Sequence, residues 1–169
     1  ARNGQTDEAE ALVVEIAGKP FGPTPGLALR FRATIDEERG NLEEARRTYE
    51  AALELYHQIG GLAGEAGAQA NIGTVLFRQG RLEDALSYFQ AALKIHQETG
   101  DILVRATTLT NIGSLCARQR RFQEGLESLE QARILYLEAG ARGRGLEAVD
   151  KLIARLRRRL ARSPAKKKP

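Results

Sequence analysis

Through the middle of the chain, apolar residues recur at intervals of three and four. Leu82, Ala85, Phe89, Ala92 and Leu93 form one stripe, while Glu83, Asp84, Gln90 and Lys94 take the opposite side, which is the period of a helix burying one face. Upstream, Ala68, Ile72, Val75, Leu76 and Gln79 make a second such face, with Asn71, Thr74 and Arg78 on its other side. Gly80 separates the two stretches, and Gly60 and Gly100 flank them. Glycine at a helix C-terminus supplies the left-handed residue that ends it, so the pattern predicts short helices in pairs with glycine turns between them.

The pairs repeat. Asn71-Ile72-Gly73-Thr74 returns forty residues later as Asn111-Ile112-Gly113-Ser114, and Gly40-Asn41-Leu42-Glu43-Glu44-Ala45 is echoed by Gly80-Arg81-Leu82-Glu83-Asp84-Ala85 and by Arg120-Arg121-Phe122-Gln123-Glu124-Gly125. Tyr49, Phe89 and Leu129 share one register, as do Ala52, Ala92 and Ala132, and Gly60, Gly100 and Gly140. A lone pair of helices this short leaves its apolar face in water, so successive pairs stack, each covering the last. The expected fold is all-α, a right-handed superhelical solenoid of antiparallel helix pairs with a C-terminal capping helix. Its repeats are expected over residues 27–60, 61–100 and 101–140.

The ends complete this picture. Gly4-Gln5-Thr6-Asp7-Glu8-Ala9 resembles Gly40 to Ala45, so residues 1–19 read as the second helix of a preceding repeat, and the chain as the C-terminal part of a longer protein. The run Lys19-Pro20-Phe21-Gly22-Pro23-Thr24-Pro25-Gly26 predicts a loop over 20–26, since proline and glycine interrupt a helix. Beyond Gly140, Leu146, Val149, Leu152, Ile153, Leu156 and Leu160 form an apolar face on an arginine-rich stretch. It is expected to be a basic capping helix over 141–162, followed by a disordered tail over 163–169.

Composition narrows the function. Of 169 residues 42% are apolar and only 5% aromatic, with no Trp or Met, so the core is built from Leu, Ala, Ile and Val and a β-sandwich is disfavoured. One cysteine, Cys116, and two isolated histidines exclude an internal disulfide scaffold and a Cys/His zinc module. No apolar stretch approaches the roughly 18 residues that span a bilayer, and the N-terminus lacks an export pattern, so a cytoplasmic protein without a membrane span is expected. The net charge of +4 conceals an asymmetry, because residues 141–169 carry eleven Lys or Arg against two acids, a balance of +9 that leaves −5 for residues 1–140. A basic segment of this kind contacts nucleic acid, an acidic partner or anionic lipid, or is a solvated chain end.

Motifs for chemistry do not appear. There is no P-loop, no His-Glu-x-x-His pair, and no Ser/His/Asp or Cys/His grouping. Cys116 occupies the core register of Leu76, His57 and His96 fall out of register with each other, and the pairs Glu37-Glu38 and Glu43-Glu44 read as solvated acids on helix exteriors. No enzyme activity, catalytic residue, cofactor or metal site is expected.

The residues Asn71-Ile72-Gly73, Gly80, Leu82, Ala85, Phe89 and Ala92 resemble the tetratricopeptide repeat, which has Leu-Gly, Gly, Tyr, Ala, aromatic and Ala at the same intervals. The likeness covers residues 24–140. Its forty-residue period is similar to repeats of kinesin light chains, of Pins-type spindle-orientation adaptors and of the sensory regions of bacterial ATP-dependent regulators. Departures are Phe31-Arg32-Ala33 in the first unit, where the others have Asn-Ile-Gly, and Arg120 in place of a glycine. The resemblance implies a concave groove lined by the first helices, where Asn71, Thr74 and Arg78 align with Asn111, Ser114 and Arg118. Asparagine can hold an extended backbone by donor and acceptor, and arginine offers a fork to a carboxylate. Gly64, Gly67 and Thr107 are small, which leaves room either for a guest or for helix packing.

Family members that grip chaperone C-termini use a two-carboxylate clamp. Here Arg30 and Asn71 match part of it, but Thr34, Thr107 and Asn111 stand where it has Asn, Lys and Arg, so chaperone docking is disfavoured. The resemblance implies a protein–protein interaction scaffold holding an extended, acidic peptide or partner segment drawn in by Arg78 and Arg118, with Glu38 making the first unit's end of the groove less cationic. The expected context is the partner-recognition end of a signalling or regulatory protein. One alternative is the sensory repeat domain of a bacterial ATP-dependent or DNA-binding regulator; a weaker one is nucleic-acid contact through the arginine-rich final helix. The sequence leaves oligomeric state open.

Overall fold

A computed structural model describes residues 25–162. The expected helix near the N-terminus, most of the proline-rich loop and the expected C-terminal tail lie outside the described residues. Among the described residues seven helices follow one another: α1 (Pro25–Arg39), α2 (Leu42–Gln58), α3 (Leu62–Gln79), α4 (Leu82–Thr99), α5 (Ile102–Arg118), α6 (Phe122–Glu138) and α7 (Arg144–Arg162). Among the described residues there is no strand. The chain divides into two compact units, Ala1–Ile95 and His96–Pro169, the division falling within α4.

In the first unit α1 packs on α2, α2 packs on α3, and α1 also reaches α3. The apolar stripes read from the sequence are the ones buried: Ala45, Tyr49 and Ala52 of α2, Ile72, Val75 and Leu76 of α3, and Ala85, Phe89 and Ala92 of α4. Each large side chain fully withdrawn from water contributes roughly 1.5–3 kcal/mol, which is how helices of such modest length persist. Phe89 packs directly over Gly73, where a Cβ would stand 2.8 Å from the ring.

In the second unit α5 packs on α6 and α6 on α7. Gly113 and Gly125 face each other where α5 and α6 approach; a Cβ on Gly113 would meet Leu129 at 2.6 Å, and one on Gly125 would meet the Gly113 carbonyl at 2.9 Å. Leu129 joins Val149, Ile153 and Leu156 of α7 in one apolar cluster. Helix α7 thus covers α6 with the same face that the leucine spacing predicted.

Turn chemistry follows the glycines. Gly80 has φ 82°, and the Arg81 amide donates to the Leu76 carbonyl at 3.0 Å, the wrapped helix end that a left-handed residue permits. The same turn closes α5, where the Arg121 amide donates to the Cys116 carbonyl at 2.8 Å. There the left-handed residue is Arg120, with φ 63°, so a side chain tolerates a conformation that glycine adopts freely.

One boundary needs correction. Helix α1 begins at Pro25, not after Gly26, because proline at the first helical position gives up only an amide that has no partner there and already has helical φ. Gly26 belongs to the buried side of that first turn, against the Tyr56 ring.

Candidate partner-binding surface

In the first unit, the expected surface residues Arg30 and Thr34 lie on α1, and Asn71, Thr74 and Arg78 lie on α3. Thr34 Oγ1 donates to the Arg30 carbonyl at 2.9 Å and is 2.9 Å from the Tyr49 hydroxyl. Tyr49 in turn donates to Glu37 Oε2 at 3.5 Å. Burial, before anything else, pushes the Tyr49 hydroxyl up, and the nearby Glu37 carboxylate adds to it.

Glu37 also engages Arg78. The Arg78 guanidinium donates to Glu37 Oε1 at 2.9 Å and to the Glu37 carbonyl at 3.0 Å. This pair spans forty-one residues of sequence and ties α3 to the C-terminal turn of α1. One expectation changes. Glu37 is not a freely solvated acid, its side chain being 16% exposed against 42% for Arg78.

Glycines on α3 accommodate neighbours belonging to the chain itself. A Cβ at Gly64 would fall 2.2 Å from the Tyr56 ring, and one at Gly67 would fall 3.2 Å from the Arg30 guanidinium. Of the two readings open for these small residues, packing is the one seen at both. Arg30 Nε, placed there, is buried and has no acceptor.

Thr74 Oγ1 donates to the Ala70 carbonyl at 3.0 Å. Asn71 is half-buried, and its amide makes no hydrogen bond among the described residues.

The second unit presents Thr107, Asn111, Ser114 and Arg118 on α5. Thr107 Oγ1 donates to the Leu103 carbonyl at 3.0 Å and meets the Tyr136 hydroxyl at 3.0 Å. Ser114 Oγ donates to the Thr110 carbonyl at 2.9 Å. Asn111, like Asn71, is half-buried without a hydrogen bond among the described residues. Arg118 is exposed at the end of the helix. Arg105, which sequence reasoning passed over, holds a buried Nε without an acceptor, as Arg30 does; only its position two residues before Thr107 could have drawn attention to it.

Groups capable of chemistry are dispersed. Cys116 is buried, and that burial pushes its thiol up, which disfavours the nucleophilic thiolate. His57 is exposed beside Glu65, whereas His96 is 4% exposed with Nε2 unpartnered. Among the described residues no three His, Cys, Asp or Glu side chains converge as metal ligands, and no described helix is long and apolar enough to cross a membrane.

Adjacent antiparallel helices in a forty-residue repeat define a helical-repeat protein. The chain belongs to the tetratricopeptide repeat family, matching it over residues 26–98 and again over 64–138. Repeats of this family generally act as protein–protein interaction scaffolds and are typically not enzymes. Among solved structures, the chain is similar to BtubC (BKLC) from P. vanneervenii, with 17% identity, 99% of this chain and 78% of that one covered, and a TM-score of 0.67. It is similar to the nearly identical repeats of a putative kinesin light chain from Podospora anserina, with 16% identity, 96% and 82% coverage and a TM-score of 0.71. The N-terminal domain of stress-induced protein-1 from C. elegans aligns at 15% identity, 75% and 93% coverage and a TM-score of 0.59. No curated protein matches the sequence significantly. At such identities the likeness is one of fold, and it agrees with the all-α tetratricopeptide architecture expected from the repeats.

Proposed function

We propose that the chain is a non-catalytic scaffold whose first helices hold an extended, acidic partner segment. The observation that carries this reading is the pair of half-buried amides, Asn71 and Asn111, that recur at the same repeat position without a hydrogen bond among the described residues. An amide in that state offers both a donor and an acceptor to a peptide backbone. Arg30 and Arg105, half-buried on first helices, add the positive charge that favours an acidic segment. Arg78 contributes only in competition with Glu37, and Thr34, Thr74, Thr107 and Ser114, with hydroxyls committed to carbonyls of their own helices, shape the surface rather than donate to the guest. Arg118 provides positive charge at the end of α5.

Selection from a random peptide display library against the whole chain tests this. Enriched peptides are expected to be rich in Asp and Glu, and Asn71→Ala with Asn111→Ala is expected to weaken them by about tenfold or more, the worth of two hydrogen bonds, while Asn41→Ala leaves them unchanged. Neutral or basic peptides, or binding indifferent to the double substitution, would overturn the proposal.

A further inference from the structure

Helix α7 carries seven Lys or Arg and two acids, and the structure sorts them into two groups. On the flank facing α6, the charges pair: Arg133 with Asp150 at 2.7 Å and Arg157 with Glu130 at 2.8 Å, across a groove of about 570 Å³. On the outer side they do not. Among the described residues, Arg144, Lys151, Arg155, Arg158 and Arg162 are exposed and have no carboxylate partner, and Arg159, likewise exposed, stands about 40° beside these five around the helix.

These five positions share one line. At 3.6 residues per turn they fall within an arc of about 60°, opposite the buried Val149, Ile153 and Leu156, and extend over about 27 Å of helix. Successive cations are separated along the axis by about 4.5 to 10.5 Å. Glu147 is the sole acid near this line.

We propose that the outer face of α7 binds the phosphate backbone of a double-stranded nucleic acid without reading its sequence. This inference is independent of the peptide-binding surface. Four of the five cations are arginines, whose planar forks suit phosphate, and a straight row of like charge suits a polymer of fixed linear charge density. A lipid bilayer fits less well, because insertion needs a free apolar face, and that face of α7 is buried against Leu129. A single strand fits less well too, because α7 has no aromatic residue on which bases would stack.

Fluorescence anisotropy of a labelled mixed-sequence duplex, titrated with the whole chain over a range of salt, tests the proposal. Contacts to four or five phosphates give a log K against log salt slope of about −3.6 to −4.5, so affinity falls about 150-fold or more between about 50 and 200 mM salt. Unrelated duplex sequences are expected to bind equally. Replacing Lys151, Arg155, Arg158 and Arg162 together by Gln is expected to bring the slope to about −1 with the helical circular dichroism intact, whereas Arg157→Ala, or deletion of residues 163–169, retains most of it. The proposal is overturned by absent binding at low salt, by an unchanged slope in the fourfold variant, by loss on tail deletion alone, or by tighter binding to phosphatidylserine vesicles or poly-glutamate than to the duplex.

Discussion

Substituting Gly64 by Ala separates internal packing from reserved space. A Cβ placed there stands 2.2, 2.3 and 2.6 Å from three carbons of the Tyr56 ring, well inside ordinary contact. The ring has little room to retreat: Tyr56 is buried with Ala52 and Ala68, and its far edge lies against Gly26. Overpacking of a filled core costs about 1–3 kcal/mol, and the rigid surroundings put this site at the upper end. Gaining alanine's helix propensity returns at most about 1 kcal/mol. The net expectation is a loss of about 1–2 kcal/mol, a fall of roughly 2–8 °C in melting temperature for a chain of this size. Gly67→Ala, three residues on, meets only the flexible end of Arg30 at 3.2 Å, so propensity prevails and stability is expected to rise by up to about 1 kcal/mol. Urea denaturation followed by circular dichroism on both variants reads the difference. Repeating Gly64→Ala in a Tyr56→Ala background isolates the ring, and there the substitution is expected to become neutral or stabilising. A Gly64→Ala protein as stable as the parent would refute the packing argument.

Other outcomes follow from single contacts. Arg120→Gly relieves a left-handed side-chain residue costing about 1–2 kcal/mol against the greater freedom of glycine when unfolded; a rise in urea midpoint worth about 0.5–1 kcal/mol is expected, and a fall would contradict the strain. Glu37→Gln releases Arg78 from its ion pair, so acidic peptides are expected to bind about two- to fivefold tighter, on the scale of a partly exposed pair; isothermal titration showing weaker binding would place Arg78 outside the surface. Burial pushes the His96 imidazole down, with Asp101 opposing weakly. A base whose folded pKa is depressed stays neutral while the unfolded chain takes up a proton, so stability is lost as pH falls below about 6.5. Glu43 and Glu124 are also held below the usual carboxylate range by hydrogen bonds from Arg46 and Arg121, but their losses begin nearer pH 4.5. His96→Tyr, which restores the residue found at the equivalent Tyr56 and Tyr136, is therefore expected to flatten the stability profile between pH 7 and 5.

What could be read from the chain without coordinates was whatever backbone periodicity encodes. Ile72, Val75, Leu76, Phe89 and Cys116 are buried, as their registers required, and Gly40, Gly60, Gly80, Gly100 and Gly140 all adopt positive φ. A helix buries one stripe and stops where a left-handed residue permits, and both facts repeat every forty residues. The start of α1 was missed because Pro25 interrupts a helix from within but opens one from its first position. Contacts between helices were less legible. The Glu37–Arg78 pair and the Tyr56–Gly64 contact join residues on different helices, and which long side chain fills which gap depends on rotamers that periodicity does not carry. Hence Asn71 and Asn111 could be selected by register, whereas Arg30 was assigned to the surface without its place beside Gly67 being foreseen.

The most direct measurement of the central claim is the behaviour of the asparagine side-chain amides in a ¹H–¹⁵N spectrum during titration with an acidic peptide selected against the whole chain. The Asn71 and Asn111 NH2 signals are each expected to shift and saturate, while those of the exposed Asn41 stay still. Saturation accompanied by shifts confined to α7, with both amides unmoved, would contradict it.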